Sequence, residues 1–292
     1  MALNLLGMTA IPLQTRPEDG FYPSVERCRQ LISPKTKAIV LVTPNNPTGA
    51  TYSPSLLASF ASLAREKNIA LIIDETYRDF VVTGSPPHAL FSPSAPQPWR
   101  STFVHLFSFS KSYCLPGHRL GAIAASPDLL NGIRSILDTL QICAPRPIQL
   151  ALAPLLPGLR TFVQDMAIKL HSRHALFKSH LPSGWTVGAQ GGYFAFVRHP
   201  YLRVKAQDVS RRLAEEMGVV TLPAGFFSVD KPEVAEEDLN PVWDALEQVE
   251  EVDESERWIR FSVANIDDQK VVSVCGRLGT CATTFGWENE VS

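Results

Sequence analysis

Neither sign of charge predominates in this chain of 292 residues. Lysines and arginines number 27 against 29 aspartates and glutamates, a formal net charge of -2. That balance exerts no overall pull toward nucleic acid or an acidic membrane surface. Cysteine is scarce: Cys28, Cys114, Cys143, Cys275 and Cys281 lie far apart in no metal-ligand spacing, and their odd number argues against a secreted disulfide framework. Reduced thiols in a cytoplasmic compartment are the expectation. No apolar run approaches the length that spans a bilayer, and the mildly apolar stretch from Met1 to Ala10 lacks the basic flank and cleavage site of a signal peptide. Internal repeats and low-complexity tracts are also missing. The 45% hydrophobic content is enough to bury a sizeable core, and the length is compatible with two domains. A small-molecule partner fits this composition, with neither nucleic acid nor membrane expected.

Four short apolar runs, Ala38 to Val42, Ile69 to Ile73, Phe103 to Phe107 and Leu120 to Ala125, read as parallel strands of an α/β sheet because turn signals or helical patterns follow them. Between the first two, Ser53 and Pro54 open a helix whose apolar positions Leu56, Leu57, Phe60 and Leu63 recur at helical spacing. The Pro- and Ser-rich stretch from Ser85 to Pro98 reads as an irregular surface connection. A helical pattern runs from Leu150 to about His180, broken at Pro154 and Pro157. The glycines Gly184, Gly191 and Gly192 and the run Tyr193-Phe194-Ala195-Phe196 then mark a change of domain. A helix at Ala206 to Met217, an acidic loop from Val229 to Asn240 and a strand at Trp258 to Val263 complete the pattern. The expected organisation is a mostly parallel sheet flanked by helices over residues 1–165, followed by a smaller α+β domain over 166–292.

In open α/β sheets the carboxyl ends of the strands form the usual ligand site, and three of these strands end in unusual polar residues. The third runs into Ser108-Phe109-Ser110-Lys111, with Pro116-Gly117-His118-Arg119-Leu120-Gly121 beyond. A lysine desolvated there becomes a nucleophile toward an aldehyde, and an arginine adds a fixed cation for a phosphate. The first strand ends in Asn45-Asn46-Pro47-Thr48-Gly49 and the second in Asp74-Glu75-Thr76-Tyr77.

These three motifs, in this order, resemble those of the class I/II, fold-type I pyridoxal-phosphate-dependent aminotransferases of the aspartate aminotransferase superfamily. The resemblance implies pyridoxal 5'-phosphate as cofactor, with Lys111 as the lysine that bonds it and Ser108 and Arg119 on its phosphate. It implies Asn46 and Tyr77 on the phenolic oxygen, a cis Asn46-Pro47 bond, and Asp74 paired with the pyridine nitrogen, which keeps the ring an electron sink. In Trp258-Ile259-Arg260-Phe261-Ser262, Arg260 resembles the arginine that forks onto the substrate carboxylate. Lys111, Asp74 and Tyr77 are the expected catalytic residues. The aromatic run after Gly192 is better explained by packing. No metal is implied.

The implied reaction moves an amino group between an amino acid and a 2-keto acid, in a homodimer or a dimer with a related chain. The same residues equally suit a β- or γ-eliminating lyase. The resemblance starts within the family's large domain, so an N-terminal block that supplies a phosphate-binding turn and a stacked aromatic ring has no counterpart here. Leu5-Leu6-Gly7-Met8 already resembles material beyond it. A non-catalytic homologue acting as a partner subunit is the other reading this leaves open.

Overall fold

A run of β-branched and leucine side chains needs a face to bury, and Ala38–Val42 finds one as strand β1, with Ile39 and Leu41 buried beneath the helix that follows. The computed structural model describes residue 3 and residues 6–82, 86–93, 95, 98–227 and 254–290. Helix α1, Val25–Leu31, precedes β1, and helix α2, Pro54–Glu66, follows it. Ser53 caps α2 by accepting from Leu56 N, and Pro54 occupies the first turn, where an amide hydrogen has no helical partner. Leu57, Phe60 and Leu63 turn inward from α2 and form one cluster with Ile39 and Leu41.

Strands β2, Ala70–Asp74, β3, Phe103–Ser108, and β4, Gly121–Ala124, extend the sheet in the order β1-β2-β3-β4. The first three are parallel, with Val42 beside Asp74 and Asp74 beside Leu106, so their polar ends converge on one edge. The expectation of a fourth parallel strand is corrected: β4 runs antiparallel to β3. The chain between them, residues 109–120, carries only a short 3-10 turn and no crossover helix, so it returns as a hairpin.

Helices α3, Pro127–Leu140, α4, Arg146–Leu152, and α5, Arg160–His180, lead to a second, antiparallel sheet. Its strands are β5, Thr186–Gly191, β6, Phe194–Arg198, β7, Leu222–Pro223, and β8, Trp258–Ser262, in the order β5-β6-β8-β7. Helix α6, Ala206–Met217, coincides with the expected one, and helix α7, Asp268–Phe285, closes the chain against α5, with Phe177 and Leu278 in one core. The acidic loop expected at Val229 to Asn240 lies outside the described residues.

The two sheets meet through backbone. Gly49 has φ +76, and a Cβ there would stand 2.6 Å from Gly191 N and against Phe194 O. A Cβ on Gly191 would in turn crowd the Gly49 carbonyl. Phe196 of β6 and Trp258 of β8 stack at 5.5 Å, and Phe21 meets Trp258 edge-on at 4.9 Å. Gly49→Ala therefore combines left-handed strain with overpacking against main chain, and urea unfolding is expected to show a loss of about 3 kcal/mol or more.

Candidate active site

The turn after β1 is held by its first asparagine, which leaves the second available. Asn45 Oδ1 accepts from Thr48 N at 3.2 Å and from Thr48 Oγ1 at 2.9 Å, and Asn45 N donates to Ala50 O at 2.8 Å. The Asn46-Pro47 bond is cis, as the resemblance implies, and so is Thr43-Pro44. Asn46 Oδ1 accepts from Arg260 Nη1 at 2.7 Å, which ties the first strand's end to β8.

Arg260 lies between two rings, its guanidinium carbon 4.4 Å from the Phe194 centroid and 4.6 Å from that of Phe227. Burial lowers its pKa, opposed by the nearby Tyr77. Its Nε is buried and has no hydrogen-bond partner among the described residues, so one prong of a planar fork is left for an anion.

At the end of β2, Asp74 Oδ1 accepts from Thr76 N at 2.9 Å and Thr76 Oγ1 at 2.7 Å. Tyr77 is buried, and that burial raises its phenol pKa to about 12 despite the Arg260 charge. Its ring lies 5.3 Å from Tyr193 and 5.4 Å from Phe194. Gly192, at φ +52, lets the chain press on it: a Cβ there would lie 3.0 Å from Tyr77 Cβ. His174 Nε2 donates to Gly192 O at 3.0 Å, since the carbonyl can only accept.

Lys111 is half-buried, its Nζ 5.5 Å from the centroid of Tyr193, and Tyr193 Oη donates to Lys111 O at 3.3 Å. Packing accounts for the buried Phe194 and Phe196 of the aromatic run, but Tyr193 also touches the lysine. Its place immediately after Gly191-Gly192 was the available signal. Ser108 Oγ accepts from Ser110 N at 3.2 Å. Arg119 is exposed at φ +52, and its Nη1 donates to Pro116 O at 3.0 Å, within its own loop. Asn46, Tyr77 and Arg260 are thus brought together, with Lys111 joined to them through Tyr193, while the hydrogen bonds of Ser108 and Arg119 stay local.

Sequence reasoning assigned nothing to Glu75, yet it anchors a buried polar cluster. Its side chain is 1% exposed, with Oε2 2.9 Å from His88 Nε2, 2.8 Å from His105 Nε2 and 3.2 Å from Arg78 Nη1. Burial alone would raise its pKa, but the hydrogen bonds from His105 and His88 and the Arg78 charge bring it down to about 2. A histidine inside the otherwise apolar run of β3 was the signal in the sequence. A cavity of about 170 Å³ borders this cluster, lined in part by Thr43, Tyr52, Glu75 and Arg78, and none of the expected site residues lines it.

The family model described as aminotransferase class I and II matches residues 1–278. The aspartate aminotransferase of Sulfolobus acidocaldarius is 27% identical over 229 residues, an alignment taking in 75% of this chain and 56% of that protein. The aspartate/prephenate aminotransferase of Thermus thermophilus is 35% identical over 130 residues, covering 44% of this chain and 32% of the relative. Matches that take in three quarters of the chain reach only 56% to 58% of the curated relatives' length. Among solved structures, an aromatic aminotransferase from Pyrococcus horikoshii superposes with a TM-score of 0.80 at 22% identity, over 98% of this chain and 70% of that one. That likeness carries the fold.

Two buried groups set a dependence on pH. Burial lowers the His174 pKa below its ordinary 6.5, so the folded state resists a proton that the unfolded chain accepts, and stability is lost as pH falls below 6.5. Glu75 prefers its charged form when folded, so its contribution is complete above 4.5 and is lost as pH falls from there toward about 2. Urea unfolding against pH is expected to show both losses. His174→Gln should flatten the first and Glu75→Gln the second.

Proposed function

Because the chain belongs to the class I and II aminotransferases, we propose that it binds pyridoxal 5'-phosphate at Lys111 and moves an amino group between an amino acid and a 2-keto acid. The observation that carries this reading is the Arg260–Asn46 hydrogen bond of 2.7 Å. It joins the end of the first strand to an arginine near Tyr77 whose buried Nε has no hydrogen-bond partner among the described residues, and Tyr193 links Tyr77 to Lys111.

Among these residues, Lys111 supplies the amine that holds the cofactor. Asp74, fixed on one oxygen by Thr76, presents a carboxylate to the pyridine nitrogen. Tyr77 and Asn46 serve the phenolic oxygen, and Tyr77, its pKa raised to about 12, remains a neutral donor at physiological pH. Ser108 and Arg119 would hold the phosphate, Arg119 having further N–H donors beside the one that meets Pro116 O. The bound cofactor supplies an electron sink for the charge left when the substrate Cα loses its proton. Lys111 Nζ would be the base that takes that proton and the acid that returns it. Arg260 orients the substrate through its α-carboxylate, with Phe194 and Phe227 limiting water around the guanidinium. The reading includes a dimer of this chain or with a related one, supported by the exposed apolar side chains of Ile136, Leu140 and Ile142.

Mixing the purified protein with pyridoxal phosphate is expected to give a visible absorption band that Lys111→Ala abolishes; a band that survives that substitution would overturn the assignment. Keto acid formation that depends on an added amino acceptor is the expected reaction, whereas release of ammonia without an acceptor would identify an elimination. In a steady-state assay, Arg260→Ala should raise the KM for the amino acid about tenfold or more, by loss of charge-assisted hydrogen bonds.

A further inference from the structure

We infer that Glu75 is a positioning residue, which holds Asp74 and Tyr77 in place from the opposite side of the sheet through His88, His105 and Arg78. The inference rests on the cofactor reading above and adds to it a group that is 1% exposed and is held by His88, His105 and Arg78.

A carboxylate is expensive to bury, and an apolar side chain of similar size at such a position is often no less stable. Bulk stability therefore does not explain why a charge stands here. What Glu75 provides is direction, because its three partners come from three parts of the chain: the turn after β2, the segment before residue 90, and the middle of β3. His88 is itself fixed. Leu90 N donates to His88 Nδ1 at 3.2 Å, so the ring proton is on Nε2 and points at Glu75, 2.9 Å away. His105 Nε2 and Arg78 Nη1 approach the same oxygen at 2.8 and 3.2 Å. With the proton on Nε2, all three groups aim donors at Glu75.

The main chain carries this anchoring to Asp74. Glu75 N donates to Leu106 O at 2.9 Å, and Thr43 N donates to Asp74 O at 3.0 Å, so the two residues are tied to the strands on either side. Arg78 N donates to Glu75 O at 3.0 Å and closes the turn. Within that turn lies Thr76, whose amide and hydroxyl fix Asp74 Oδ1, and next to it Tyr77. The order of dependence is thus the histidines, then Glu75, then Thr76, then the carboxylate that faces the cofactor. Such outer partners set the orientation of a working group without contacting the reaction.

The test compares wild type, Glu75→Gln and His88→Phe, with Asp74→Asn as reference. Pyridoxal phosphate affinity and the pH midpoint of the Lys111-dependent absorption band are measured, and urea unfolding of the cofactor-free proteins shows that each is folded. Glu75→Gln keeps the shape but turns an amide NH2 toward one of the donors. It is expected to bind about tenfold more weakly and to move the midpoint in the direction that Asp74→Asn moves it. His88→Phe, among the rings of Phe91 and Phe103, should do the same and decides the matter if Glu75→Gln does not fold. Folded variants with the wild-type midpoint, whatever their affinity, overturn the inference alone. A wild type without a Lys111-dependent band overturns the cofactor reading and this inference with it.

Discussion

The two sheets are joined at a close approach of main chain to main chain, at Gly49 and Gly191, where a Cβ on either residue would collide with the backbone of the other. The first glycine ends the turn after β1, and the second ends β5. Their contact fixes the distance between a parallel sheet, which presents Asn46, Asp74 and Lys111 near its strand ends, and an antiparallel sheet, which presents Arg260. An added methyl group at either position would press on the facing main chain, so the joint beside the 2.7 Å bond from Arg260 to Asn46 would have to shift. Farther along β5, Phe21 and Trp258 close on Gly188, and Phe196 stacks on Trp258.

Around this joint, the interior holds more polarity than a minimal core would need. His174 supports Gly192, which presses on Tyr77, and Glu75 is held from behind by two histidines and an arginine. Low dielectric strengthens such bonds when they are complete and makes any lost partner costly. Side chains on the working face are correspondingly less engaged. Among the described residues the Asp74 carboxylate binds only its neighbour Thr76, through one oxygen, and Arg260 Nε has no partner. Firm support behind and spare donors in front are what a binding site requires.

Much of this was legible in the sequence where local chemistry decides the outcome. Strand β1, the Ser53-Pro54 helix start and helix Ala206–Met217 follow from apolar spacing and capping residues. The cis Asn46-Pro47 bond followed from the resemblance, and so did the placing of Asn46, Tyr77 and Arg260 in one cluster, although they are far apart in sequence. Direction in the sheet was not legible. β4 has the same apolar pattern as its neighbours, and only the absence of a crossover helix makes it antiparallel. Tyr193 was hidden because an aromatic residue beside a glycine pair reads as packing, and packing is part of what it does. Glu75 was hidden because two of its three partners, His88 and His105, are 13 and 30 residues downstream, and Arg78 three residues on reads equally well as a solvated pair.

The hydrogen bond between Arg260 and Asn46 spans 214 positions of the chain, which bears on how the molecule comes into being. The turn at Asn46 can form early from its own hydrogen bonds, but its companion arrives only after the intervening strands and helices have been made. Closing so large a loop is entropically unfavourable until other contacts have already brought the ends together. During synthesis the polar edge of the first sheet therefore stays open until β8 is laid into place and Arg260 reaches Asn46.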